Sequence, residues 1–475
     1  MNSSLTSILS NAASGMRAAQ ASVAVVSDNV ANASVAGYTA KTQETAAFVV
    51  GDQTSGVRTG QVTRSVDEAL QASVWSQASR VGVLTVRSQV LTSINATQGT
   101  PGDGTSLADA VTALQNSFTQ LQAQPSSQTQ QSAVVSAAGS LASTINNVAA
   151  SITAQRNNAQ SQIVTSVGAL NSALAEVQAT THEIVAAKES GSDSATLEDQ
   201  RDEALQTISG LLDVHYDKQA NGDIAILGRN GFSIPLDSTF STTAATLSPA
   251  TAGAGSVPPI LMQSANAPEP AVDATSRLSG GSLGELVQLR DATLPSYTAS
   301  LDSFSAKLAN QFSAQGLQLF SNGTPDATLT ATPGLSSVIA VNPAVAATPS
   351  TVRDGTAGTA YPVNPAGGPA GYTALIDRVL GNTFAASGAT TSLAADANAF
   401  VSQQSGDTAQ ASADLKTATA YQTTLFQRFS DGSGVNVDQE MGLMIQLQNS
   451  YQANARVVQA AQSMFTDLLN ATNAV

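Results

Sequence analysis

The chain has no cysteine. Disulfides, thiolate catalysis and cysteine-based metal sites are therefore excluded. Charge is scarce as well. Charged residues make up 11% of the 475 positions, where an average globular domain carries about 25%. Basic residues are the rarer sign, 19 against 34 acidic, which leaves a net charge of −15. A chain so short of Lys and Arg has little with which to neutralise phosphates, so no nucleic-acid partner is expected. An anionic membrane surface is disfavoured for the same reason. No apolar run approaches the ~18 residues that a membrane span needs. The first basic residue is Arg17, and no apolar core precedes a cleavage site. Export through a cleaved signal peptide is not expected.

What fills the chain is Ala, Ser, Thr, Gln and Asn, with 42% apolar residues, enough for cores. Residues 3–36 read as one helix. Leu9, Met16, Val23 and Val30 recur every seven positions, and Leu5, Ala12, Ala19, Val26 and Ala33 recur beside them. Together they make an a/d stripe of the coiled-coil type. The last forty residues repeat the idea with Met444, Tyr451, Val458 and Phe465, and with Leu447, Ala461 and Leu468. Asn436 is placed as the N-cap of that helix, Gln439 can close a capping box, and "SDGSG" before it reads as a flexible break. Neither stripe can bury itself alone, so the two helices are expected to pair.

Between them the character changes. Residues 41–65 read as β or extended. Helical pattern covers 66–95, 105–123, 127–188 and 194–210, and returns at 283–316 and 392–430. Asn221-Gly222 and Asn230-Gly231 are hairpin signals. Residues 321–380 are rich in Gly, Pro, Ser and Thr and suit short strands and loops. The fold class is mainly α with an inserted β-rich module: paired coiled-coil helices, a helical trunk and an outer β domain. The expected division is 1–40 plus 435–475 for assembly, 41–210 plus 283–320 plus 381–434 for the trunk, and 211–282 plus 321–380 for the β-rich domain.

The motifs that could carry chemistry have plainer explanations. "GGSLG", Gly280 to Gly284, fits the G-x-S-x-G nucleophile elbow. A hydrolase order needs a histidine after the serine, and His182 and His215 both precede it. Ser282 with Glu285 reads better as a capping box opening a helix at Leu283. Two isolated histidines make no ligand cluster. Asp217, Asn221, Gly222 and Asp223 faintly match a calcium loop, but Gln219 and Gly228 stand where its ligands belong, and a hairpin turn accounts for them. "GTPGDGTSL" lacks the P-loop Lys and reads as a loop before a helix capped by Thr105 or Ser106. "LEDQRDEA" places Asp199, Arg201, Asp202 and Glu203 at surface spacing on a helix, which reads as a solvated salt-bridged face. No catalytic, cofactor-binding or metal-binding set is expected, and the chain is not expected to be an enzyme.

The first helix has a second stripe: Asn11, Gly15, Ala18, Ser22, Val25, Asn29, Asn32 and Ala36. A free amphipathic helix normally shows charge on its wet face. Here small residues would let neighbouring helices approach, and amides can be buried without the desolvation cost of charge. The pattern is expected of a helix packed on several sides, as in a polymer subunit.

"SDNVANASVAGYT" resembles the N-terminal signature of bacterial flagellar axial proteins through Ser27, Asn29, Ala31, Asn32, Gly37 and Tyr38, with departures at Asp28, Val30 and Val35. The C-terminal helix resembles the same family, most closely at Tyr451, Ala453, Asn454, Ala455 and Arg456. "LEDQRDEALQTISGLLDV" and "GGSLGELVQLRDATLPSYTASLDSFSAKLANQF" resemble the hook-associated protein 1 (FlgK) family. The resemblance implies a structural adaptor that joins hook to filament, located outside the cell on the flagellum and exported by the flagellar type III apparatus. The implied partners are further copies of itself, hook protein, the second hook-associated protein and an export chaperone. The implied assembly residues are Leu9, Met16, Val23, Asn29, Val30, Asn32, Gly37 and Tyr38 at one end. At the other they are Met444, Tyr451, Asn454, Val458, Phe465 and Leu468. Another axial subunit of hook or filament type is the alternative, and a secreted enzyme with chemistry in the β module is a remoter one.

Overall fold

The computed structural model describes all residues except 1, 36, 51–52, 100–101, 243–246, 248–256, 266–269, 325–328, 358, 386–391 and 474–475. Side chains at 2–4, 50, 53–54, 468–469 and 471–473 lie outside the description as well. Helix α1 spans Asn2–Asn32, four residues short of the expected end. The Val35 N–H donates to the Asn32 carbonyl and the Tyr38 N–H to the Val35 carbonyl, which turns the chain. Gly37 follows this turn at a φ of 83°, a conformation glycine adopts without a Cβ penalty.

Strands β1 (Lys41–Val50) and β2 (Gln53–Arg64) form a long antiparallel ribbon. The division expected from sequence put this stretch in the trunk. It runs back along α1 instead. The Val57 N–H donates to Ser14 Oγ at 3.0 Å. A Cβ on Gly56 would meet the same hydroxyl at 2.5 Å, so glycine allows the close approach.

The trunk is built from α2 (Glu68–Gln98), α3 (Leu107–Ala123), α4 (Gln128–Ser190) and α5 (Ala195–Leu211). Their ends follow local chemistry. Ser106 and Asp109 close a reciprocal capping box, Ser127 accepts from the Gln130 N–H, and Gly191 ends α4 in the left-handed conformation. Helix α4, with 63 residues, is about 95 Å long at 1.5 Å per residue. It buries Val134, Leu141, Ile145, Ile152, Ile163 and Leu170 along one side.

Two small antiparallel sheets follow. β3 (Val214–Lys218), β4 (Ile224–Gly228) and β5 (Ser233–Ile234) make one, and β6 (Ser238–Thr242), β7 (Ile260–Ser264) and β8 (Val272–Asp273) the other. The turn glycines Gly222 and Gly231 have φ of 96° and 77°, as the two hairpin signals require. α6 (Gly281–Gln288) and α7 (Leu294–Ala314) run on through one wide helical turn, Leu289–Thr293. Arg290 of that turn is fully buried and donates to Gln160 Oε1 at 2.6 Å.

Residues 321–380 correct the sequence expectation of a second β-rich part. β9 (Phe320–Ser321) and β10 (Ala340–Val341) make only a two-residue ladder. The rest holds short helices: α8 (Leu335–Val338), α9 (Pro343–Ala347), α10 (Thr351–Asp354) and α11 (Ala374–Arg378). Each is anchored by one or two buried apolar residues, among them Leu335, Val345, Val352 and Ile376. Nor does the β module own a core. Ile226, Phe240 and Ile260 belong to the same continuous cluster as Phe118, Ile145 and Phe312.

α12 (Leu393–Ser433) returns along α2, with Ser405 Oγ donating to Asn95 Oδ1 and Gln77 Nε2 to the Ala418 carbonyl. It continues through most of "SDGSG", so the break narrows to 434–436. α13 (Val437–Asn473) then begins, with Asn436 Oδ1 accepting from the Asp438 and Gln439 N–H groups.

Candidate functional site

Helices α1 and α13 pack side by side, and their contact is made of small residues. The buried positions of α1 are Ala12, Ala18, Ala19, Val26 and Asn29, and α13 buries Ala461. A Cβ on Gly15 would lie 2.9 Å from Asn454 Nδ2, so Asn454 is seated over the glycine. Met444, Leu447, Asn454 and Val458 are half-buried on α13. The inner line of α1 is therefore the Ala12–Ala19–Val26 line. Leu9 is exposed, and Met16, Val23 and Val30 are half-buried at the margin. Tyr451 and Phe465 correct the sequence reading of a single inner stripe: both face outward, Phe465 at 50% exposure. Leu468 lies outside the described side chains.

Asn29 is wholly buried. Sequence reasoning placed it among contacts to neighbouring subunits, but its amide is consumed within the chain. Nδ2 donates to the Lys41 carbonyl at 2.8 Å and to Glu440 Oε1 at 3.0 Å. Oδ1 accepts from the Lys41 N–H and from the Tyr38 hydroxyl, both at 3.0 Å. One side chain thus ties α1, the start of β1 and the first turn of α13. Asn32 also bonds within the chain, to the Asp28 carbonyl of its own helix at 2.8 Å, through an exposed hydrogen bond. Burial, then the nearby Asp28, Asp199 and Glu440 carboxylates, push the Tyr38 hydroxyl up to about 12. It stays a neutral donor at any physiological pH.

Below this amide lies a cluster of charge, and it too departs from expectation. "LEDQRDEA" is no solvated face. Asp199 and Asp202 are each about a tenth exposed, because the foot of the ribbon folds onto α5. Arg64 reaches Glu198, Asp199 and Asp202 at 3.0, 2.8 and 2.9 Å. Lys41 Nζ donates to Thr196 Oγ1 at 2.7 Å, and Thr39 Oγ1 to Asp199 Oδ1 at 2.6 Å. Lys188 and Lys218 complete the set on Glu198 and Asp202. Burial alone would raise the Glu198 pKa, but Arg64 and Lys188 beside it hold it below the usual carboxylate range. Arg201 turns inward to the Gly222 carbonyl, whereas Glu203 is exposed.

Backbone closes the junction. The Ala40 N–H donates to the Ser433 carbonyl at 2.8 Å, and the Ala40 carbonyl accepts from the Ser65 N–H at 2.9 Å. Ala40 thus bridges the starts of the two connections between the terminal module and the trunk, at Ser65 and at Ser433, the last residue of α12.

The motifs weighed for chemistry settle into structure. Gly280 and Gly281 have φ of 68° and 58°, and a Cβ on Gly281 would fall 2.1 Å from the Leu211 backbone. The glycines let α6 abut the end of α5. The expected capping box is absent from α6: the N-cap is Gly280, and Glu285 instead accepts from Arg87 at 2.7 and 2.8 Å. His182 on α4 and His215 on β3 are both exposed. The Asn221 turn is closed by the Asp223 N–H on Asn221 Oδ1 and by the Gln219 N–H on the Asp223 carbonyl. No helix among the described residues is long and apolar enough to cross a membrane.

Three family matches cover these parts. Residues 91–329 match the flagellar hook-associated protein FlgK helical domain. Residues 9–39 match the flagella basal body rod protein family, and 427–471 the flagellar basal body rod FlgEFG protein C-terminal family. Flagellar hook-associated protein 1 of Escherichia coli (strain K12) is 25% identical over 321 residues, which cover 66% of this chain and 57% of that protein. The chain therefore spans less than two thirds of that relative's length. The solved structure of the flagellar hook junction protein FlgK from Burkholderia pseudomallei is similar over 55% of this chain and 46% of its own, at 23% identity and a TM-score of 0.44. With the FlgK helical domain spanning half of the chain, from the last turns of α2 through the two β sheets and α7 to beyond β9, the chain belongs to the FlgK family of flagellar hook-associated proteins.

Proposed function

We propose that this chain is a structural subunit of the flagellar axis that stands between hook and filament and polymerises through its terminal helix pair. The observation that carries this is the apolar surface the pair leaves bare. Ile8, Leu9, Met441, Leu443, Ile445, Tyr451, Val457, Met464 and Phe465 are all exposed, Ile445 at 58%. Large apolar groups at this density along one module mark a surface meant to be covered. The rod-type matches at both terminal segments support an axial role. They do not choose between members of the axial class; the FlgK-type trunk does. Leu9, Tyr451 and Phe465 are the residues we place between copies, while Asn29, Gly37, Tyr38 and Asn454 shape the subunit that assembles. The partners are other copies of the chain, hook protein and the second hook-associated protein. Export follows the flagellar type III route, without a cleaved signal peptide and with a chaperone over the apolar face. No reaction is assigned.

Deleting 436–475 tests this. The trunk should stay folded, because its core lies outside the deleted helix. Cells should make hooks, release flagellin into the medium and fail to swim. Normal filaments on such cells, seen by electron microscopy, would sink the proposal.

A further inference from the structure

A cleft of about 940 Å³ opens where the terminal module meets the trunk. Val74 and Trp75 of α2, Phe426 and Phe429 of α12 and Val435 of the elbow give it apolar walls, and Glu203 of α5 lines it as well. Glu203 is exposed, with no cationic partner among the described residues.

The far end of the β1–β2 ribbon has the opposite form. Phe48 and Val49 stand 48% and 55% exposed. Arg58, paired across the ribbon with Ala46, is exposed and has no acidic partner among the described residues. The ribbon cannot bend this end into its own cleft. Its foot is fixed by Lys41 on Asn29, and its upper part by Val57 on Ser14. Fifteen helical residues separate those anchors on α1, which sets them about 22 Å apart.

We propose that the cleft receives the ribbon tip of a second copy, with Phe48 and Val49 between the phenylalanines and Arg58 facing Glu203. This rests on the self-assembly proposed above and names the contact through which it is registered. Two chains of net charge −15 repel at a distance, and a cation on the inserted part opposite an anion in the receiving part opposes that repulsion and fixes orientation. Knob and hole are different surfaces, so the contact is head-to-tail. It propagates from copy to copy, and it offsets neighbours along the direction of α1.

A photocrosslinking side chain at position 48 of the full chain, in flagella isolated from the bacterium that makes it, tests the idea beside the same probe at Ile445. The expected product from position 48 joins two copies and maps to 74–82 or 426–435. Arg58→Glu or Glu203→Arg alone should cut that product roughly fivefold, and the double reversal should restore it. Crosslinks between copies from 445, with none from 48 into the cleft, overturn this inference and leave the assembly reading standing. No crosslink between copies from either position overturns both. Failure of the double reversal to restore the product overturns the charge pairing.

Discussion

The trunk and the terminal helix pair use apolar residues in opposite ways. In the trunk, Leu114, Phe118, Ile145, Leu301 and Phe312 are completely buried, and Phe118, Phe312 and Phe384 touch ring to ring. In the terminal pair the buried positions are mainly alanines, and many of the large side chains, among them Ile445, Met464 and Phe465, are outside. The trunk closes its core within one chain. The pair leaves large apolar groups such as Ile445 and Phe465 exposed. A polar junction, made of Asn29 and the Arg64 cluster, separates the two regimes. On the assembly role proposed above, fold stability and assembly would reside in different residues, and substitutions should separate them.

The largest effect should come from the trunk. Phe118→Ala should cost about 4 kcal/mol through the cavity it leaves, measured by urea unfolding followed through Trp75, the one tryptophan. A loss below 1 kcal/mol would erase the contrast. Arg64→Ala is expected next, at about 3 kcal/mol, because three nearly buried carboxylates lose their main cation. Its signature is local: limited proteolysis should cut near 65–67 and 434–436 while the trunk fragment survives. Asn29→Ala leaves the Lys41 N–H and carbonyl unmet, at about 2 kcal/mol, and hydrogen exchange should show faster opening at Ala40 and Lys41 than in α3.

Acid should act in the same place. The folded-state pKa of Glu198 is depressed. Its contribution is complete above the unfolded value of about 4.3 and is lost as pH falls through the lower folded one. Between pH 5 and pH 3, exchange corrected for intrinsic rates should rise at Ala40 before it rises in α3; equal rises would contradict a separate junction. The smallest effect on the folded chain is Ile445→Ser, under ~0.5 kcal/mol because the side chain is already exposed. Its effect should appear only in assembly, as fewer or shorter filaments by electron microscopy.

Much of the fold could be read from sequence where local chemistry and periodicity agree. Helical pattern over 127–188 matches α4, Gln128–Ser190, within two residues at its end. The β3–β4 and β4–β5 hairpins were announced by Asn-Gly pairs. In 321–380 composition speaks for short strands and loops, whereas isolated residues such as Val345 and Val352 fold into short helical turns by docking on the common core. The charge cluster was hidden for a similar reason. Helical spacing places Asp199 and Asp202 as if on a wet face, and only the ribbon, arriving from some 135 positions earlier in the chain, brings Arg64 over them. Of the assembly residues, periodicity found the helices but not their rotation. It could not tell that Ala12, Ala19 and Val26 turn inward while Leu9, Tyr451 and Phe465 turn out.

The two bonds of Ala40 have a mechanical meaning. On the axial role proposed above, torque would pass between the terminal helices and the trunk. That load would cross on two backbone strands, 65–67 and 434–436, with Ala40 bonded at the start of each, to the Ser65 N–H and to the Ser433 carbonyl at the end of α12. Twisting one strand against the other strains both bonds together, with the Arg64 cluster resisting shear beside them. The junction should behave as a stiff coupling, not as a swivel.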